Sequence, residues 1–275
     1  MSHGRRYTTM KSRTRSVLAI VLVAIAIATD AQAATLKDIV KRNELVMCAQ
    51  ADALPFSRQG GDIEGFQIEL GRAVAAGLGV PLHVHFMRLH REPRRGECDV
   101  LMTVAVQATA EADASYRTTR AYMSYRPVFV VRQSRTSVAS IDALAPGKVA
   151  VQSGSWAHFM MTQRSIPVWV RFRTDEEIIG AVVDGDADGG IVSGFALGWY
   201  LKNHPGAPIR HAAELPLEGD LGYDIAIGIM DNDQRLVDRI DAILDDLAER
   251  GFIASTLRGY GIELQPPRRA SGVPK

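Results

Sequence analysis

Neither sign of charge is in surplus: 32 Lys and Arg stand against 31 Asp and Glu, a formal net charge of +1. Nucleic-acid binding needs a basic face, and none is evident. Cysteine is scarce. The two that occur, Cys48 and Cys98, have no second pair beside them for a zinc site and form no Cys-x-x-Cys redox motif. No apolar run reaches the roughly 20 residues of a membrane span. There is no Gly-x-Ser-x-Gly elbow, no His-Glu-x-x-His pair and no Gly-rich dinucleotide loop. The seven histidines are scattered without a partner pattern. These absences argue against hydrolase, metalloenzyme, dehydrogenase and nucleic-acid-binding roles, and nothing calls for a cofactor.

What is present begins at the N-terminus. Arg5, Arg6, Lys11, Arg13 and Arg15 precede twelve residues, 17–28, without a charge or a strongly polar group. Small residues follow at Ala31 and Ala33. This is the pattern of a secretory signal peptide over residues 1–33; the alternative is an uncleaved anchor. Cleavage would leave a chain from Ala34 onward, with no membrane span, in the periplasm. An oxidising compartment makes a Cys48–Cys98 disulfide the default, with two buried free thiols as the alternative. Both cysteines lie at strands of the same region, so neighbouring strands could bring the sulfurs together.

Strand and helix patterns alternate from residue 36 almost to the end. Helices are expected at 36–43, 65–78, 155–164, 174–184 and 195–203, then a long one capped by Asp233, then a short one to about Tyr260. In the helix at 65–78, Phe66, Leu70, Val74 and Leu78 recur every four residues. Thr174 with Glu177 reads as a capping box. Strands are expected at 45–49, 81–87, 99–105, 126–132, 148–152, 189–193 and 223–230. This alternation predicts an α/β fold with mainly parallel sheets. The chain divides into lobe 1 (34–125 plus 224–265), lobe 2 (126–223) and a flexible tail (266–275). Two crossings, near 125–131 and 221–224, would form a double-strand hinge. Ligands in open α/β sheets sit outside the carboxyl ends of the strands. The cleft candidates are therefore Asp52 and Phe56 after the first strand, Thr103 and Val104 ending a central one, and Ser193, Gly194 and Phe195 at another strand end. Ser153, Gly154 and Ser155 open a helix whose free N–H groups suit an anion or polar ligand. Trp156, Trp199 and Tyr200 read more simply as core or lobe surface.

Some acidic and basic groupings invite chemistry but have plainer readings. His83 and His85 share one face of a strand, yet no third ligand completes a metal site. Asp184, Asp186 and Asp188 alternate as in a calcium loop but lack its closing Glu, so a solvated turn is the better reading. The arginines of 88–95 belong to a solvated loop or to a dock for an acidic protein.

Certain segments carry a resemblance. Leu45-Val46-Met47-Cys48-Ala49-Gln50-Ala51-Asp52-Ala53-Leu54-Pro55-Phe56-Ser57, then Ile63-Glu64-Gly65-Phe66-Gln67-Ile68-Glu69-Leu70, Gly96-Glu97-Cys98-Asp99-Val100, Val151-Gln152-Ser153-Gly154-Ser155 and 185–192 follow in order. Together they resemble bacterial extracellular solute-binding proteins, the family of the amino-acid receptors of ABC transporters. The likeness implies a two-lobed type 2 periplasmic-binding-protein fold. The cysteine pair, the Ala-Asp-x-Leu-Pro-Phe-Ser run, 116–122 and Ser193-Gly194-Phe195-Ala196-Leu197-Gly198-Trp199-Tyr200 are similar to the J-type accessory proteins of methanol dehydrogenase. That branch implies a periplasmic partner of a PQQ-dependent methanol dehydrogenase, acting by binding rather than catalysis. The alternative is a receptor delivering a small organic solute to a permease; an extracytoplasmic enzyme on this scaffold is a third reading. By the same resemblance, the Arg that grips an amino-acid carboxylate is replaced by Glu111, and the Asp that holds its ammonium by Ser193. Ordinary α-amino acids are therefore expected to bind poorly, because a buried charge without a partner is costly.

Overall fold

The protein is described here as a computed structural model. The described residues are Met1, 34–88, 91, 93–94, 96–106, 116–141, 148–213, 222–231 and 233–268. The expected signal peptide, Glu111 and most of the expected tail lie outside them. The described residues from Ala34 to Arg268 fall in one compact unit.

Thirteen strands and seven helices make up the described residues: α1 (Leu36–Arg42), β1 (Leu45–Gln50), β2 (Asp52–Ala53), β3 (Ser57–Arg58), α2 (Phe66–Leu78), β4 (Leu82–Met87), β5 (Val100–Val106), β6 (Arg117–Thr118), β7 (Met123–Tyr125), β8 (Pro127–Arg132), β9 (Val149–Gln152), α3 (Trp156–Gln163), β10 (Trp169–Phe172), α4 (Asp175–Asp184), β11 (Gly189–Ser193), α5 (Gly194–Asn203), β12 (Ile209–His211), β13 (Tyr223–Ile229), α6 (Gln234–Glu249) and α7 (Phe252–Gly259). They form two main sheets, ordered β4-β1-β5-β13-β6 and β10-β9-β11-β8-β12, with β7 pairing β13. In each sheet three strands run parallel, and one strand that enters from the hinge runs against them: β13 beside β5, and β8 beside β11. The sheets are thus mixed, not mainly parallel. The strands beyond the sequence expectation are short or at an edge, where burial imposes little pattern: β2, β3, β6, β7, β10 and β12.

The helices form where expected. Thr35 caps α1 through a reciprocal box with Asp38. Leu236, Ile240, Ile243, Leu244 and Leu247 line the buried stripe of α6 behind its Asp233 cap. One detail differs. Thr174 accepts the Glu177 N–H, but the Glu177 carboxylate reaches back to the N–H of Arg173 rather than Thr174. The turn into α2 needs glycine. Gly65 has φ +101°, and a Cβ there would lie 2.3 Å from the Phe56 carbonyl oxygen.

The disulfide is present: Cys48 and Cys98 are joined with Cα atoms 5.5 Å apart, where β1 meets the start of β5. Next to it, Asp99 accepts the Val46 N–H at 2.7 Å and pairs with Arg42. Burial raises the Asp99 carboxyl, against the pull of that hydrogen bond and the guanidinium.

The chain passes between the sheets at Arg126, between β7 and β8, and again between β12 and β13. The two hinge strands pair, with Tyr125 opposite Tyr223 and Ser124 opposite Asp224. The start of the tail is pinned to them. Ser124 donates its N–H to the Gln265 carbonyl and its hydroxyl to that of Pro266, and the Arg268 N–H donates to Asp224. Pro266 and Arg268, expected to fray, therefore bind the hinge. The lobes meet a second time through α5. Phe195 belongs to the core cluster of the first sheet, and a Cβ on Gly198 would lie 2.4 Å from the Gly261 carbonyl oxygen, so only glycine lets the two chains approach so closely.

Candidate functional site

The cleft is built from strand ends. After β1 the chain folds back as the β2–β3 hairpin, held by Ser57 donating to the Gln50 carbonyl at 2.8 Å. This hairpin presents Phe56, whose ring lies 5.2 Å from Phe66 and meets Phe195 edge-on at 5.5 Å. On β5, Thr103 faces the cleft and takes a hydrogen bond from the buried Gln67 amide. Strand alternation turns Val104 to the opposite face, where it is buried and covers Gly228. From the hinge, Tyr125 and Tyr223 stack with centroids 4.5 Å apart and planes 9° from parallel.

The second lobe closes the other side. Ser155 caps α3 by accepting the His158 N–H. Ahead of the helix, Ser153 donates its N–H to the Phe172 carbonyl, Gly154 to the His158 ring and Ser155 to the Gln152 carbonyl. Ser193 caps α5, and the Gly194 N–H is taken by the Arg126 carbonyl. Gly194 thus serves the turn at the hinge.

Two adjoining cavities result. An inner chamber of about 280 Å³ is lined by Phe56, Thr103, Ser155, Ser193 and Phe195 from the expected set, together with Tyr125, Tyr223, Trp156 and Asp175. An outer chamber of about 490 Å³ runs past Asp52, Arg58, Arg173, Glu176 and His204, and shares Phe56, Gln152 and Asp175 with the inner one. Of the expected residues, Asp52, Phe56, Thr103, Ser155, Ser193 and Phe195 line the cleft, while Val104, Ser153, Gly154 and Gly194 do not. Of the three aromatics read as core or lobe surface, Trp156 reaches the inner chamber while 44% exposed, and Trp199 and Tyr200 line the outer one.

Asp175 escaped the sequence reading. It is the first residue of α4, next to the Thr174 cap, and looks there like ordinary helix-dipole chemistry. In space its carboxylate accepts the Ser193 N–H at 2.9 Å. An acid from a different element therefore lies beside Ser193. Burial raises its pKa to about 6, with the Ser193 N–H opposing. The same carboxylate helps hold Tyr223 protonated, pushed up to about 12 mainly by burial, and Tyr125 well above its usual value for the same two reasons.

Among the described residues no group of three or more His, Cys, Asp or Glu is placed to hold a metal. Asp186 and Asp188, of the calcium-like run, face Arg171 and Arg135. Among the described residues no helix is long and apolar enough to cross a membrane.

The family model of bacterial extracellular solute-binding proteins, family 3, matches residues 45–262. The probable amino-acid-binding protein YxeM of Bacillus subtilis (strain 168) is 24% identical over 258 residues, 91% of this chain and 95% of its own. Among solved structures, an ancestral cationic amino acid solute-binding protein, AncCDT-1, shares 21% identity, with a TM-score of 0.67 over 82% of this chain and 99% of its own. MxaJ from Methlophaga aminisulfidivorans MPT shares 19% identity, with a TM-score of 0.62 over 80% of this chain and 99% of its own. At these identities the solved structures show the fold, a mixed α/β periplasmic-binding architecture of two domains. The match over 45–262 and the cleft between two mixed sheets together place the chain in family 3 of the bacterial extracellular solute-binding proteins.

Proposed function

We propose that the protein is a periplasmic receptor for a small organic solute that is not an ordinary α-amino acid, exported by a signal peptide over residues 1–33 and acting by binding rather than catalysis. The observation that carries this reading is the inner chamber: a formed cavity between the lobes whose described lining holds one carboxylate and no basic side chain. A free α-carboxylate entering it would meet Asp175 with no cation beside it among the described lining residues, a like-charge contact in a poorly solvated site. The family membership supports solute binding, and the replacement of the expected arginine by Glu111 points the same way. Lobe closure on the solute would follow from the hinge at Tyr125 and Tyr223. Melting the protein against a library of small solutes tests the reading. A ligand that binds only the folded state raises the melting temperature by mass action, so a saturable rise with a non-amino-acid solute supports it. A rise confined to standard amino acids refutes it.

A second reading is the accessory of a PQQ-dependent methanol dehydrogenase. What favours it is a surface feature. Trp156 and Phe159 stack with centroids 5.1 Å apart at the rim of the cleft, and they are 44% and 49% exposed. Paired exposed aromatics of this kind suit protein docking. MxaJ shares the fold. Size-exclusion chromatography with a purified PQQ-dependent methanol dehydrogenase tests it. Co-elution that is lost in Trp156→Ala/Phe159→Ala supports the accessory role, and independent elution of the two proteins refutes it.

A further inference from the structure

The chemistry of the inner chamber selects a ligand class. Its walls are aromatic: Phe56, Tyr125, Tyr223 and Trp156 line it, and Phe195 closes the gap between Phe56 and Tyr125. Among its described lining residues Asp175 is the one charged group. One oxygen of that carboxylate takes the Ser193 N–H, and Asp175 forms no ion pair with any described residue. A half-buried carboxylate left with a single neutral donor is under-compensated, and a cation placed beside it restores the balance. Aromatic faces attract cations through their quadrupoles, most strongly where water is excluded. At about 280 Å³ the chamber lies near the lower end of small-molecule sites.

We infer that the inner chamber binds a small monocationic organic solute lacking a carboxylate, with its charge held between Asp175 and the rings of Tyr125, Tyr223 and Phe56. The inference rests on the receptor reading above and names the class of solute. Zwitterions are disfavoured because nothing in the described lining neutralises their carboxylate. Neutral solutes leave Asp175 uncompensated. Cations too large for the inner chamber would reach the outer one, where Arg58 and Arg173 sit among the acids and repel them.

Isothermal titration calorimetry at pH 7.5 with three isosteric probes tests this. The probes are choline, its neutral carbon analogue 3,3-dimethylbutan-1-ol and the anion 3,3-dimethylbutanoate, with n-butylamine as a second cation and L-leucine as a zwitterion. At least one of the two cations is expected to bind saturably and at least about tenfold tighter than the neutral and anionic probes, the equivalent of about 1.4 kcal/mol. Asp175→Asn, which keeps the shape and removes the charge, should lose that preference. Tyr223→Leu should weaken the cation several-fold while leaving the neutral probe unchanged. Far-UV circular dichroism checks that both variants fold; should one fail, the other and the probe series still decide. Tighter binding of the neutral, anionic or zwitterionic probe overturns the inference, as does a cation affinity indifferent to Asp175→Asn. Binding of non-cationic solutes alone leaves the receptor reading standing without this one. No binding of either cation overturns the inference, and the solute library then decides the receptor reading separately.

Discussion

In the first lobe one buried cluster runs from Ile39 to Ile262 and takes in both α2 and α6, while the core of the second is split by its sheet into two smaller clusters, one around Phe129 and Met161, the other around Ile178 and Val182. The first lobe also carries the disulfide, tied into a small cluster with Met87 and Met230. The charge of the inner chamber, however, comes from the second lobe, through Asp175 on α4. The aromatic wall is mostly contributed by the first lobe and the hinge. Cohesion and ligand chemistry are thus divided between the halves, and Phe195 joins them by reaching from α5 into the first lobe's core.

That division can be broken at four points, in decreasing size of effect. Replacing both cysteines, Cys48→Ser with Cys98→Ser, releases a loop spanning 50 residues and should cost about 4 kcal/mol by the loop-entropy relation. Urea denaturation checks it, and a loss under about 1 kcal/mol would mean that the first lobe's cohesion comes from its packed core alone. Phe195→Ala leaves a cavity among Phe56, Phe66 and Tyr125 and should cost about 3 kcal/mol. A single denaturation step should then separate into two as the lobes uncouple; an unchanged single step would show that the hinge strands suffice to couple them.

Asp175→Asn should do the opposite and stabilise the ligand-free protein. A carboxyl whose pKa rises on folding to about 6 favours the folded state when protonated. Its contribution is complete below the unfolded value near 3.8 and is lost as pH rises through about 6. The gain from the asparagine is therefore expected at pH 7–8, on the order of 1–2 kcal/mol given the site's partial exposure. It should vanish near pH 4. Thermal melts of both proteins across this range check it, and a gain independent of pH would remove the buried charge as its cause. The smallest effect belongs to Arg250→Ala, which breaks the exposed pair with Asp246 four residues before it. A loss of about 0.3–0.5 kcal/mol is expected, with diminution in high salt.

How far the sequence revealed the site depended on the range of the interactions. Phe56, Thr103, Ser193 and Phe195 could be found because strand ends point to a cleft by a local rule, and alternation along β5 also explains why Val104 had to leave it. Ser153 and Gly154 lie outside both chambers, and their N–H groups are taken by the Phe172 carbonyl and the His158 ring, contacts that the sequence pattern does not record. Asp175 had no sequence signal beyond that of a cap residue. Tyr125 and Tyr223 lie about a hundred positions apart and become a pair only through antiparallel hinge strands.

The order of the helices and main strands, the caps at Thr174 and Asp233 and the apolar stripes of α2 and α6 follow from local rules, because hydrogen bonding and burial act there over a few residues. The family follows as well, since its motifs are contiguous. The antiparallel entry of β8 and β13, the docking of Pro266 and Arg268 on the hinge, and the chamber that sets one carboxylate among aromatic rings belong to the tertiary structure alone. They arise from contacts between residues distant in the chain, which periodicity and composition do not record.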